Sequence, residues 1–145
     1  MGTENLHSES RIVGVLREGA MERSCEWRIF AGPAAGELAA GVADRLGTGL
    51  GAVDFEAFPD GEVSVRLQES VRGRHAILVH TTSPEPHLRL FEAFAFADAC
   101  RRAGSARITA MLPYLAYARG DARHGGRVPL TGRVVADLLQ ASGVD

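Results

Sequence analysis

From Trp27 onward, apolar and polar positions alternate in a regular way. Residues 27–31 form a short apolar run, read as a strand. Gly32-Pro33 breaks it, and proline suits the first turn of a helix. Leu38, Val42 and Leu46 then recur at four-residue spacing, which predicts an amphipathic helix over 34–46 with that stripe as its apolar side. Gly47, Gly49 and Gly51 end it. Val53, Phe55 and Ala57 alternate with polar residues, as do Val63, Val65 and Leu67. The Asp60-Gly61 step between them predicts a hairpin. Ala76-Ile77-Leu78-Val79 reads as a buried strand within 75–80. After Pro84 and Pro86 comes a long helix, 88–103, with Leu90, Phe91, Phe94, Ala97 and Ala99 on its buried side. Residues 108–112 form another strand, closed by Pro113. An Arg- and Gly-rich loop, 117–127, leads to a last helix, 129–141, with Val134, Val135, Leu138 and Leu139 inward.

Strands that alternate with helices imply an α/β fold: a mostly parallel sheet covered on both faces, with one antiparallel hairpin. The pattern divides the chain into 1–26, expected to be a poorly ordered extension, and 27–145, a single domain. Within the extension, Ile12–Leu16 is a short strand or helical turn, and Met21 is a second candidate initiator. The last helix runs into Ser-Gly-Val-Asp where a further strand is expected, so the domain reads as incomplete at its C-terminus.

Composition narrows the function classes. The chain has 145 residues, 46% hydrophobic and 23% charged, with a net charge of −2. That is an ordinary globular balance. It disfavours a nucleic-acid binder driven by bulk charge. All sixteen basic residues are arginine. Lysine Schiff-base and lysine general-base chemistry are thereby excluded for these residues. Cys25 and Cys100 are too few for a disulfide framework, which points to a reducing, cytoplasmic compartment. No run reaches the ~18 apolar residues of a membrane span.

Two segments carry candidate chemistry. In Phe58-Pro59-Asp60-Gly61-Glu62 an aromatic ring stands beside two carboxylates. The residues fit a plain hairpin turn. They equally fit a surface that stacks on a base and accepts hydrogen bonds from an amine or from ribose hydroxyls. The second segment, 113–127, follows a buried strand, where open α/β sheets place ligands. It sets Arg119, Arg123 and Arg127 against the single acid Asp121. Guanidinium groups bind phosphate bidentately and glycine lets the backbone approach it. A solvated loop kept soluble by its arginines has the same composition. His75, His80, His87 and His124 show no metal-ligand spacing. Thr81-Thr82-Ser83 reads as a helix-entry turn, and Cys100 as a small core residue. Neither a P-loop nor a serine-hydrolase elbow is present.

At these segments the chain resembles ribose-phosphate pyrophosphokinase. The likeness runs in order through Arg28-Ile29-Phe30-Ala31-Gly32, the 58–65 turn and strand, and Glu69-Ser70-Val71-Arg72-Gly73. It continues through Arg101-Arg102-Ala103, Arg107-Ile108-Thr109-Ala110, Pro113-Tyr114 and Tyr117-Ala118-Arg119. Arg127-Val128-Pro129-Leu130-Thr131 and Val134-Val135-Ala136-Asp137-Leu138-Leu139 complete it. The resemblance implies a phosphoribosyltransferase-like fold and the N-terminal part of an enzyme that moves pyrophosphate from MgATP to ribose 5-phosphate. It implies that Phe58, Asp60, Gly61 and Glu62 meet the adenine of ATP, often across a subunit interface. Arg119 and Gly120 stand at an ATP-binding pair, and Arg123 and Arg127 lie in a loop for phosphate or regulation. The partners it implies are ATP, ribose 5-phosphate, and further copies of the chain or a full-length synthase.

The departures are local. The family's Arg-Gln pair is Arg119-Gly120 here, an Asn-rich turn is replaced by Glu85-Pro86-His87-Leu88-Arg89, and a basic residue after Asp121 is Ala122. The family's metal-binding Asp-Leu-His strand end, its Lys-Arg loop and its ribose-phosphate loop have no counterpart in these residues. The resemblance therefore places the Mg²⁺ ligands and the catalytic residues outside this chain, which is expected to be inactive alone. A non-catalytic nucleotide-binding or synthase-associated relative is the alternative.

Overall fold

A computed structural model describes residues 26–122 and 125–145. The expected extension up to Cys25, with Met21, lies outside the described residues, as do Arg123 and His124. The elements are β1 (Trp27–Ala31), α1 (Gly36–Arg45), β2 (Val53–Ala57), β3 (Val63–Leu67), β4 (His75–Val79), α2 (Pro86–Arg102), β5 (Arg107–Met111) and α3 (Thr131–Ser142). β1, β4 and β5 form a parallel sheet with β4 at its centre. Central β4 is the most apolar strand, as burial on both faces requires.

The hairpin forms, but as a sheet of its own. β2 and β3 pair antiparallel, Val53 opposite Leu67, and not with the parallel strands. The two sheets are stitched just before β2. Leu50 bridges to Ile29, and the Gly51 amide donates to the Ile29 carbonyl at 2.6 Å. Glu69 fixes the other side, accepting from the Ala52 amide at 2.7 Å and from Arg28 Nε at 2.7 Å. Burial tends to raise its pKa, but the Ala52 amide and Arg28 outweigh it and hold the carboxyl below the usual range.

Strand alternation sorts the core into two layers. Phe30, Ala76, Leu78 and Ile108 point to one face, against Ala93, Phe96, Ala97 and Cys100 of α2. The inner sides of the hairpin (Val53, Phe55, Val65, Leu67) pack on the same layer. Phe30 and Phe96 meet at 5.3 Å between ring centroids, tilted by 60°. Burial pushes the Cys100 thiol up to about 12. Ile29 and Val79 point to the other face, against Ala35, Ala39 and Ala43 at and within α1.

The helices differ from the periodicity reading in which residues they bury. In α1 the buried stripe is Ala39 and Ala43; Val42 and Leu46 flank it, and Leu38 is exposed. Small residues let the helix lie close to the sheet, so the larger ones move to its sides. In α2 the buried residues are Leu90, Glu92, Ala93, Phe96, Ala97 and Cys100, whereas Phe91 is exposed. In α3 Val135 is buried and Leu139 half-buried, but Val134 and Leu138 are exposed. Phe91, Val134 and Leu138 instead line an open apolar groove between α2 and α3.

Candidate functional site

The parallel strands deliver their loops to one end of the sheet, where α/β proteins hold ligands. A cleft of about 320 Å³ opens there, lined by Thr82, Ser83, Pro86, Tyr114, Ala116, Tyr117, Arg119, Gly120 and Thr131. That lies at the small end of the ~300–1,000 Å³ range of ligand pockets.

The cleft is built by β4's outgoing segment. Thr82, fully buried, donates through Oγ1 to the Tyr114 carbonyl at 2.7 Å and accepts from the Ala116 amide at 2.7 Å. One hydroxyl thus fixes the chain that leads to Arg119. A turn follows, closed by the Gly120 amide on the Tyr117 carbonyl at 2.9 Å. Arg119 is exposed on this turn. The next close approach explains Gly120. A Cβ there would overlap Thr131 Oγ1, at the start of α3, so glycine lets the turn close onto the helix.

The hairpin turn is the second feature. The Phe58 amide donates to the Glu62 carbonyl at 2.8 Å, and the Gly61 amide donates to the Phe58 carbonyl at 2.9 Å. Asp60 Oδ1 accepts from the Glu62 amide at 3.1 Å. Gly61 adopts a φ of 90°, which only glycine holds without strain. Phe58 is 42% exposed, with its ring available. Gly61 and Glu62 border a groove of about 610 Å³ with His87, Leu88 and Phe91.

The turn and the Arg119 cleft therefore line separate cavities within one chain. His87 lines the hairpin-side groove, Tyr117 lines the Arg119 cleft, and both line the apolar groove between α2 and α3. Arg127 is exposed, has a φ of 63°, and lines none of these cavities. Among the described residues, no group of three or more His, Cys, Asp or Glu is placed to hold a metal. None of their helices is long and apolar enough to cross a membrane.

At the end of β4 lies a buried polar cluster that spacing alone did not reveal. His80, fully buried at the end of β4, sets Nε2 3.0 Å from the Arg89 carbonyl and 3.2 Å from Glu92 Oε2. Both are acceptors, so Nε2 carries the proton. Nδ1 is buried without a partner among the described residues, and a Cβ at Gly32 would overlap it. Gly32 is thus needed for contact with the imidazole as well as for ending the strand. Arg89 Nη1 reaches both Glu92 oxygens, at 2.8 and 3.1 Å.

This cluster predicts a pH response. Burial keeps His80 below the ordinary histidine range, against the raising pull of the Arg89 carbonyl and Glu92. Burial, with Arg107 adding and Asp145 opposing, lowers His75 as well. The unfolded chain then binds more protons than the folded one once pH drops below about 6.5. Stability from these residues is complete above that value and is lost as pH falls through the folded-state values. The melting temperature is expected to be lower at pH 5.5 than at 7.5, with a shallower slope in His80→Gln. Equal slopes in the two proteins would remove His80 from the account.

The comparisons with known proteins fit this geometry. A sequence profile for the N-terminal domain of ribose phosphate pyrophosphokinase matches residues 27–143. The chain belongs to this family. It is 45% identical over 121 residues to a ribose-phosphate pyrophosphokinase of Vibrio parahaemolyticus, a match covering 83% of this chain and 38% of the relative. It is 38% identical over 131 residues to the chloroplastic ribose-phosphate pyrophosphokinase 1 of Oryza sativa, covering 90% of this chain and 33% of that protein. The crystal structure of phosphoribosylpyrophosphate synthetase from Mycobacterium smegmatis superposes with a TM-score of 0.80 at 41% identity, over 83% of this chain and 40% of that one. The chain thus spans little more than a third of the length of these pyrophosphokinases. The α/β fold with its parallel sheet and hairpin is the pyrophosphokinase N-terminal fold.

Proposed function

We propose that this chain supplies the nucleotide-holding part of a ribose-phosphate pyrophosphokinase, the enzyme that transfers pyrophosphate from MgATP to ribose 5-phosphate. The observation that carries the reading is the turn at 117–120, which presents Arg119 at the rim of a small cleft at the ligand-bearing end of the sheet. Arg119 takes the ATP phosphates, with the Gly120 backbone beside it. Transfer of this type depends mainly on positioning and charge neutralisation. Phe58 stacks on the adenine, while Asp60 and Glu62 accept its amine or the ribose hydroxyls, over the tight Gly61 turn. Arg127, and Arg123 outside the described residues, serve the loop that follows.

Because the hairpin turn and the Arg119 cleft line separate cavities, they meet one nucleotide when two copies, or this chain and a full-length synthase, associate. The described residues offer no cluster fit to hold Mg²⁺; the metal arrives with the MgATP substrate. A reducing compartment such as the cytoplasm suits the free, buried Cys100.

Titration calorimetry with MgATP tests the reading. Binding is expected, and Arg119→Ala is expected to weaken it about tenfold, the scale of a lost charge-assisted hydrogen bond. Unchanged affinity would remove Arg119 from the site. The 145 residues alone are expected to form no phosphoribosyl pyrophosphate.

A further inference from the structure

We propose that His87 and Tyr117 form a clasp that sets the direction of Arg119. The proposal rests on the nucleotide reading for its purpose, and on geometry for its existence. The Tyr117 hydroxyl lies 2.9 Å from His87 Nδ1 and 3.3 Å from Nε2, and the two ring centroids are 5.8 Å apart with the planes tilted by 36°. The hydroxyl donates to a bare ring nitrogen or accepts from an N–H, so the contact holds in either tautomer.

Each partner is presented by constrained backbone. His87 follows Pro86 in the first turn of α2, and Glu85 before it has a φ of 65°. Tyr117 has a φ of 66°. A non-glycine residue in that region is strained and persists only where its surroundings hold it there. Here the surroundings are the His87 contact, the Gly120 amide on the Tyr117 carbonyl at 2.9 Å, and Thr131 Oγ1 donating to the same carbonyl at 3.4 Å. Arg119 is two residues further along this turn. Swinging Tyr117 out of the left-handed region would re-aim it.

The position of the clasp gives it a second consequence. His87 borders the groove beside Gly61 and Glu62, and Tyr117 borders the Arg119 cleft. Both also line the apolar groove between α2 and α3. A positioning pair there fixes the phosphate side of the site, the Arg119 cleft, by holding Tyr117 against the first turn of α2.

Nuclear magnetic relaxation and calorimetry on the full chain test it together. His87→Ala and Tyr117→Phe both leave the core untouched. In the free chain each is expected to lower the backbone order parameters of Ala118, Arg119 and Gly120 from about 0.85 toward about 0.6. Each is also expected to weaken MgATP about threefold to tenfold, the scale of one hydrogen bond. The double variant should be no worse than either single one, and His87→Gln should recover most of the loss. If residues 118–120 stay as rigid in the variants as in the parent, the clasp is overturned whatever the affinities. Loosening with unchanged affinity, in a parent chain that binds MgATP, overturns its positioning role. Loosening in a parent that binds no MgATP supports the clasp and refutes the nucleotide reading instead.

Discussion

Glu92→Ala is expected to lower folding stability by about 3 kcal/mol, near the lower end of what breaking a buried ion pair costs. The Glu92 side chain is 5% exposed and faces Arg89 and His80 together. Removing the carboxylate leaves Arg89 Nη1 without its bidentate partner. The Arg89 side chain, 15% exposed, retains Glu85 at 3.1 Å on the surface side, which limits the loss. His80 retains the Arg89 carbonyl. Glu92→Gln keeps the shape and one acceptor, and is expected to cost clearly less. Urea denaturation followed by circular dichroism reads both. Equal losses in the two variants would mean that packing, and not charge, is what Glu92 provides.

Phe30→Ala is the other large effect, at about 3–5 kcal/mol, the usual cost of deleting a buried aromatic side chain. Phe30 is fully buried and touches both sheets. Its ring meets Phe96 of α2, lies against Gly51 at the stitch before β2, and belongs to the layer on which the hairpin packs. A cavity there undercuts the platform of the 58–62 turn as well as the core. The urea midpoint should fall with little change in the denaturant slope. A loss below about 1 kcal/mol, the level of an average substitution, would show that the two sheets are held together by other contacts.

Much of this was legible in the chain. From Trp27 on, each strand and helix is present within a few residues of its expected place, because the apolar periods and the Gly and Pro stops are strong local signals; the element expected at Ile12–Leu16 lies outside the described residues. Two things were not legible. The first was which helix residues are buried. Leu38, Phe91, Val134 and Leu138 are large and fall at helical spacing, yet all four are exposed. Close helix–sheet approach selected Ala39, Ala43 and Ala93 instead, beside the expected Ala97. Periodicity weights size and cannot see the distance between layers. The second was the polar interior. His80 carries no signal by itself, because its partners come from a helix whose docking brings Arg89 and Glu92 back over the end of β4. Thr82 likewise reads as an ordinary turn residue until the 114–116 segment is folded against it. The candidate binding residues were visible as the turn at 58–62 and the arginine loop. That the two face different cavities was visible only in three dimensions.

Cys100 carries a consequence of a different kind. Its sulfur is sealed beneath α2, and burial pushes the thiol up to about 12. Thiolate, not thiol, is the reactive form, so near neutral pH this sulfur is chemically silent while the helix stays seated. Any oxidation or alkylation at Cys100 records a moment when the core was open, and the rate at which the mark accumulates counts those moments.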